Sequence, residues 1–168
     1  MKMTKLFLFL ASISALVISS DGSALAAGSA TGSLGVSVTV NNNCTISTLP
    51  VTFGGYDPLS GTAADSTGGS VTITCTKGAT TTIGLDNGAN ASSGQRRMKD
   101  GTTDYLNYFL FSDTGRTTAW GNAAGSWVVP PAAPDKTARP YSVYGRITAG
   151  QDVPAGTYND TVIATVNF

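Results

Sequence analysis

The chain has 168 residues, of which 12% are charged and 41% hydrophobic, with ten basic and ten acidic side chains. That balance gives no electrostatic footprint for nucleic acid or for an anionic membrane surface. Histidine and glutamate are both absent. The commonest general base, the commonest zinc ligand and half of the carboxylate repertoire are therefore missing, and no catalytic residue, metal site or cofactor is expected.

At the start, Met1, Lys2 and Lys5 precede an apolar run over residues 6–18, and the small residues Ala24-Leu25-Ala26 follow. This order predicts a secretory signal peptide over 1–26, cut between Ala26 and Ala27. The run is too short to span hydrocarbon comfortably and no basic stop-transfer cluster follows it, which argues against a membrane anchor. No other stretch is long and apolar enough, so the mature chain is expected to have no stable membrane span. Losing Lys2, Lys5 and Asp21 leaves eight basic and nine acidic residues, a net charge of −1 on an exported protein.

Over residues 33–41, Leu34, Val36, Val38 and Val40 share one face, while Gly35, Ser37 and Thr39 share the other. Alternation of this kind ordinarily marks a half-buried strand of its own domain. This one lies at the free end of the mature chain, after the small and polar residues 28–32 and before the first cysteine. A terminal arm so placed, residues 27–42, can be lent to a neighbour. Cys44 and Cys75 follow, and an even pair in an exported chain reads as a structural bridge. Closing a loop of about thirty residues is worth roughly 3–4 kcal/mol in the chain-entropy model.

Alternation continues through residues 71–75, 81–85 and 141–147, whereas residues 105–111 form a denser apolar run suited to a strand buried on both sides. Gly54-Gly55, Asp57-Pro58, Gly68-Gly69, Asp86-Asn87-Gly88, Asp100-Gly101 and Pro154-Ala155-Gly156 separate these runs. Pro130-Pro131-Ala132-Ala133-Pro134 donates too few hydrogen bonds for a central strand and is expected as a loop or an edge. Many short strands with regular turn signals predict one all-β sandwich domain over residues 43–168.

Other clusters carry little chemistry. Asp100, Asp104 and Asp113 supply carboxylates for a glycosidase-like pair, but their positions beside a strand predict turn residues. The stretch Asp86-Asn87-Gly88-Ala89-Asn90 lacks calcium-loop spacing and is expected as a hairpin turn. Arg96-Arg97-Met98-Lys99 has no aromatic interleaving and reads as a solvated loop or strand edge. At the end of the chain, Tyr158, Val162, Ala164, Val166 and Phe168 fall on one face, with Gly156 and Asp160 completing the alternation.

A family resemblance runs through these elements. The alternating arm leads into Asn43-Cys44-Thr45-Ile46 and then Phe53-Gly54-Gly55-Tyr56-Asp57. Ile73-Thr74-Cys75-Thr76-Lys77-Gly78, Arg97-Met98 and Leu106-Asn107-Tyr108-Phe109-Leu110 come next. Trp120-Gly121, Val143-Tyr144-Gly145-Arg146-Ile147, Gly156-Thr157-Tyr158-Asn159-Asp160-Thr161-Val162 and the terminal Asn167-Phe168 complete the order. In this order the chain resembles the spore coat protein U family, which includes pilins of the archaic chaperone–usher pathway. The likeness covers nearly all of the mature chain. The Pro-rich loop and Thr148, where many relatives have proline, depart from it in loop detail.

The resemblance implies an incomplete immunoglobulin-like sandwich, lacking its final strand, with a groove beside the C-terminal strand formed by Tyr158, Val162, Ala164, Val166 and Phe168. It implies a periplasmic pilus chaperone and an outer-membrane usher as partners. Other pilin subunits would then donate Leu34, Val36, Val38 and Val40 into the groove, giving a surface pilus that serves adhesion or biofilm formation. Strand addition of this kind joins one subunit's arm to another's groove and yields a fibre that does not close. A secreted spore or cell-surface coat protein of the same fold is the alternative. A sugar-binding or hydrolytic sandwich using Trp120 and Trp127 is a third reading, against which core packing explains the same aromatics.

Overall fold

The structure is a computed structural model that describes residues 27–66 and 68–168; the expected leader, 1–26, lies outside the described residues. The chain divides into two units with the break after Val38. Residues 27–38 carry no regular secondary structure and are exposed throughout. Among its described residues the second unit, Thr39–Phe168, holds ten strands and no helix.

The strands are β1 (Cys44–Leu49), β2 (Ala64–Asp65), β3 (Ser70–Cys75), β4 (Thr82–Leu85) and β5 (Arg97–Lys99), then β6 (Tyr105–Asn107), β7 (Phe109–Phe111), β8 (Arg139–Ser142), β9 (Tyr144–Ile147) and β10 (Ala164–Asn167). They form four small sheets, in the orders β1-β3-β8, β10-β4, β2-β9-β7 and β5-β6, and every pairing is antiparallel. β5 also reaches the C-terminal segment through a two-way exchange between Lys99 and Asn159. The sheets surround one core, in which Ile73, Ile83, Trp120, Val71 and Ile147 are the largest fully buried side chains. Trp120 is therefore a core residue rather than a binding platform, and its indole Nε1 donates to the Ile83 carbonyl at 2.8 Å.

β3 shows why the alternation reads as strand. Val71, Ile73 and Cys75 are buried, and Ser70, Thr72 and Thr74 between them are half-buried. β-branched side chains pack well on such a pleated surface. Pro140 lies in β8 opposite Thr72, on an edge strand where a missing N–H leaves no ladder bond unmade. The Pro-rich loop stays irregular, yet it closes against the core through Ala133, which is buried and exchanges backbone hydrogen bonds with Gly78 and Ala79.

Two expectations are corrected. Residues 105–111 are not one strand buried on both sides: the run breaks into β6 and β7, and burial alternates, with Leu106, Tyr108 and Leu110 inside and Phe109 exposed. Residues 86–90 are not a tight hairpin either. The Asp86 and Ala89 amides donate to the Ile163 and Thr161 carbonyls, so this stretch keeps running beside the C-terminal segment. Gly88 sits there with φ +82°, and a Cβ would collide with the Asp160 carboxylate. Asp100 and Asp113 are turn residues as expected, accepting hydrogen bonds from Thr102 and Asp104 and from Thr117 and Thr118 respectively.

Candidate functional site

Among the described residues, two of the edge strands, β1 and β10, flank an opening in the sandwich: β1 pairs only with β3, and β10 pairs only with β4. What their other edges offer follows from the ladder. Asn43, one step before β1, exchanges bonds with Thr76, whose amide donates to the Asn43 carbonyl at 2.9 Å and whose Oγ1 accepts the Asn43 amide at 3.1 Å. In an antiparallel ladder hydrogen-bonded and non-hydrogen-bonded pairs alternate. The next pair, Cys44 and Cys75, is therefore of the close kind, which suits its disulfide and its Cα separation of 4.1 Å. By the same count, Cys44, Ile46 and Thr48 turn their own N–H and C=O groups to the free edge. On β10 the Asp86 amide bonds the Ile163 carbonyl, so Ala164 and Val166 present theirs in the same way.

The side chains repeat this phase. Cys44, Ile46 and Thr48 lie opposite the buried Cys75, Ile73 and Val71 and so share the inward face. Ile46 nevertheless keeps 37% of its surface exposed where Ile73 keeps 0%. On the other side Val162, Ala164 and Val166 are half-buried and alternate with the exposed Ile163, Thr165 and Asn167. Both free edges thus offer backbone hydrogen bonds and apolar side chains from the same residues.

Between the segments 48–53 and 158–164 lies a cavity of about 450 Å³, floored by core residues such as Val71, Leu85, Met98 and Leu110. A second cavity of about 660 Å³ shares Val51, Phe53 and Tyr158 with it and continues past Tyr56 and Val153. Together they make a groove lined by apolar side chains and polar groups alike. Of the C-terminal residues singled out in the sequence, Tyr158, Val162 and Ala164 line it. Val166 packs on the core farther along. Phe168 falls beyond the last ladder pair, Asn167 with Thr82, and is 54% exposed. In the arm, Leu34, Val36, Val38 and Val40 are exposed by 89%, 89%, 87% and 75%.

One wall of the groove is braced by a polar cluster. Tyr108 Oη donates to Asp160 Oδ2 at 2.7 Å, and the Asn90 amide and side chain donate to Asp160 Oδ1 at 3.0 Å. Burial, then the contact with Asp160, pushes the Tyr108 phenol well above its ordinary range, so it stays a donor. Arg96, expected in solvent, is buried instead: its guanidinium donates to the carbonyls of Leu85 and Asp86 at 2.6–2.8 Å. Burial lowers its pKa, and the nearby Asp86 and Asp160 oppose that. The signal for Asp160 was present in the sequence, since a carboxylate at an inward phase of an apolar strand requires a partner. Nothing marked Arg96 apart from Arg97. Among the described residues no group of three or more metal-ligating side chains comes together.

An all-β domain with its sandwich left open between two strand edges and one disulfide defines a class, the incomplete immunoglobulin-like sandwich. The Spore Coat Protein U domain model matches residues 30–165, and the chain belongs to that family. It is 38% identical over 157 residues to Protein U of Myxococcus xanthus, covering 84% of this chain and 87% of that one. It is also similar, with a TM-score of 0.56 and 29% identity, to a solved structure of the CsuC–CsuE chaperone–tip adhesion subunit pre-assembly complex from the archaic chaperone–usher Csu pili of Acinetobacter baumannii. That likeness covers 77% of this chain and 40% of the solved one, so the chain spans less than half of that relative's length.

Proposed function

We propose that this chain is a structural subunit of a chaperone–usher surface pilus that polymerises by strand donation and supports adhesion and biofilm formation. The observation that carries the reading is the open groove between two strand edges, floored by core side chains, in a chain whose period-2 arm is exposed. An extended segment laid in the groove would bond to both edges and bury alternate side chains. Burying Leu34, Val36, Val38 and Val40 is worth roughly 6–12 kcal/mol at about 1.5–3 kcal/mol per side chain, and ordering the arm offsets part of that. In this reading residues 1–26 direct export, a periplasmic chaperone covers the groove first, and an outer-membrane usher hands it to the next subunit's arm. The finished fibre stands on the cell surface.

The test grafts a second copy of residues 33–41 after Phe168 through a flexible linker. The grafted protein is expected to be a soluble monomer with a raised Tm, whereas the chain without its first 40 residues folds but builds no fibres. Equal melting of grafted and ungrafted monomers, or long fibres from the truncated chain, would count against strand donation. A coat-protein role is the second reading, favoured by the match to the Spore Coat Protein U domain over residues 30–165. Electron microscopy of cells with and without the gene separates the two, since a coat subunit leaves no thin fibres to lose.

A further inference from the structure

We infer that the tight connection between arm and sandwich keeps a chain from closing its own groove, reserving the groove for the arm of a second copy; this rests on the strand-donation reading above. The arm runs directly into β1, so folding back on its own chain makes a hairpin antiparallel along the free edge of β1. Such a hairpin has to close on Cys44, because the backbone groups of Asn43 are already bonded to Thr76.

The register then follows by counting. A loop of residues 41–43 puts Val40 opposite Cys44 and Val38 opposite Ile46, which places both before the groove begins. Only Val36, opposite Thr48, and Leu34, opposite Pro50, reach its wall at 48–53. The remaining wall, 51–53, meets Ser33, Gly32 and Thr31, which fill no apolar pocket. A loop longer by one residue puts Thr39 opposite Cys44, and a slip of one residue turns every side chain to the other face. Gly35, Ser37 and Thr39 would then point inward and the valines outward. Longer loops of the correct parity withdraw the arm still farther from the groove. An arm from another copy carries no such tether, and all four apolar side chains can be set against the groove at once.

The experiment inserts about twelve Gly/Ser residues between Asn42 and Asn43, a linker whose mean span of about 20 Å frees the arm to slide along the groove. Self-closure then competes at an effective concentration on the order of millimolar against micromolar neighbours. The full mature chain carrying the insertion is expected to polymerise about 10²–10³-fold more slowly than wild type. It should run as a monomer in size-exclusion chromatography, with amides of residues 34–40 protected from hydrogen exchange. Adding Val36→Asp to the insertion should remove that protection. The inference is overturned by wild-type monomers that already protect their own arm, or by an insertion variant that polymerises as fast as wild type. The C-terminal graft locates the fault: if the graft stabilises while the insertion does nothing, only the tether argument fails. If the graft does nothing either, strand donation fails with it.

Discussion

β3 and β1 lie side by side and are written in nearly the same letters, Ser-Val-Thr-Ile-Thr-Cys against Cys-Thr-Ile-Ser-Thr-Leu, yet they fare differently. β3 is paired on both edges, by β1 and β8, and buries every second side chain. β1 is paired on one edge and, apart from Cys44, remains exposed. Composition and period are therefore not what buries a strand. The second neighbour is, because it supplies the missing backbone partners and covers the face between.

The cross-strand pair Ile46 and Ile73 turns that contrast into a measurement. Ile73→Ala empties a fully buried site and is expected to cost about 4 kcal/mol in denaturant unfolding of the self-complemented protein. Ile46→Ala should cost well under half of that in the open monomer and gain in cost once the groove is filled. Equal losses in the open monomer would mean that β1 is covered after all. Next in size is the clamp that holds the two strands together: replacing Cys44 and Cys75 by serine should lower stability by about 3 kcal/mol, read from the same denaturation curves. The smallest effect belongs to the opposite wall. Tyr108→Phe removes the hydrogen bond to Asp160 and is expected to cost about 1–2 kcal/mol, because a carboxylate oxygen loses a donor. A loss below the scatter of the curves would show that Asn90 alone satisfies Asp160.

The strands were legible because their faces follow a local rule, in which β-branched and aromatic residues alternate with Thr and Ser between Gly, Asp and Pro turns. The bridge was legible from two cysteines in an exported chain. The open edge of β1 was not, since Ile46 and Ile73 look the same in sequence and only pairing separates them; the likeness to a family supplied only a groove beside the C-terminal strand. Arg96 was misread because a basic run says nothing of which guanidinium turns inward to meet two carbonyls. Phe109 was misread because a dense apolar run conceals its own alternation: Tyr108 and Leu110 go in and Phe109 goes out.

The position of the disulfide has a mechanical meaning. Tension applied through residues 27–42 enters the ladder at Asn43, bonded to Thr76, and at once meets Cys44, the first residue of β1. A ladder of antiparallel hydrogen bonds loaded from its end peels open one pair at a time, each bond taking the force alone. The covalent link to Cys75 shunts that load past β1 into β3, the strand gripped on both sides and rooted in the core. A strand gripped on one edge only is thus spared the pull at the point where it would begin to unzip.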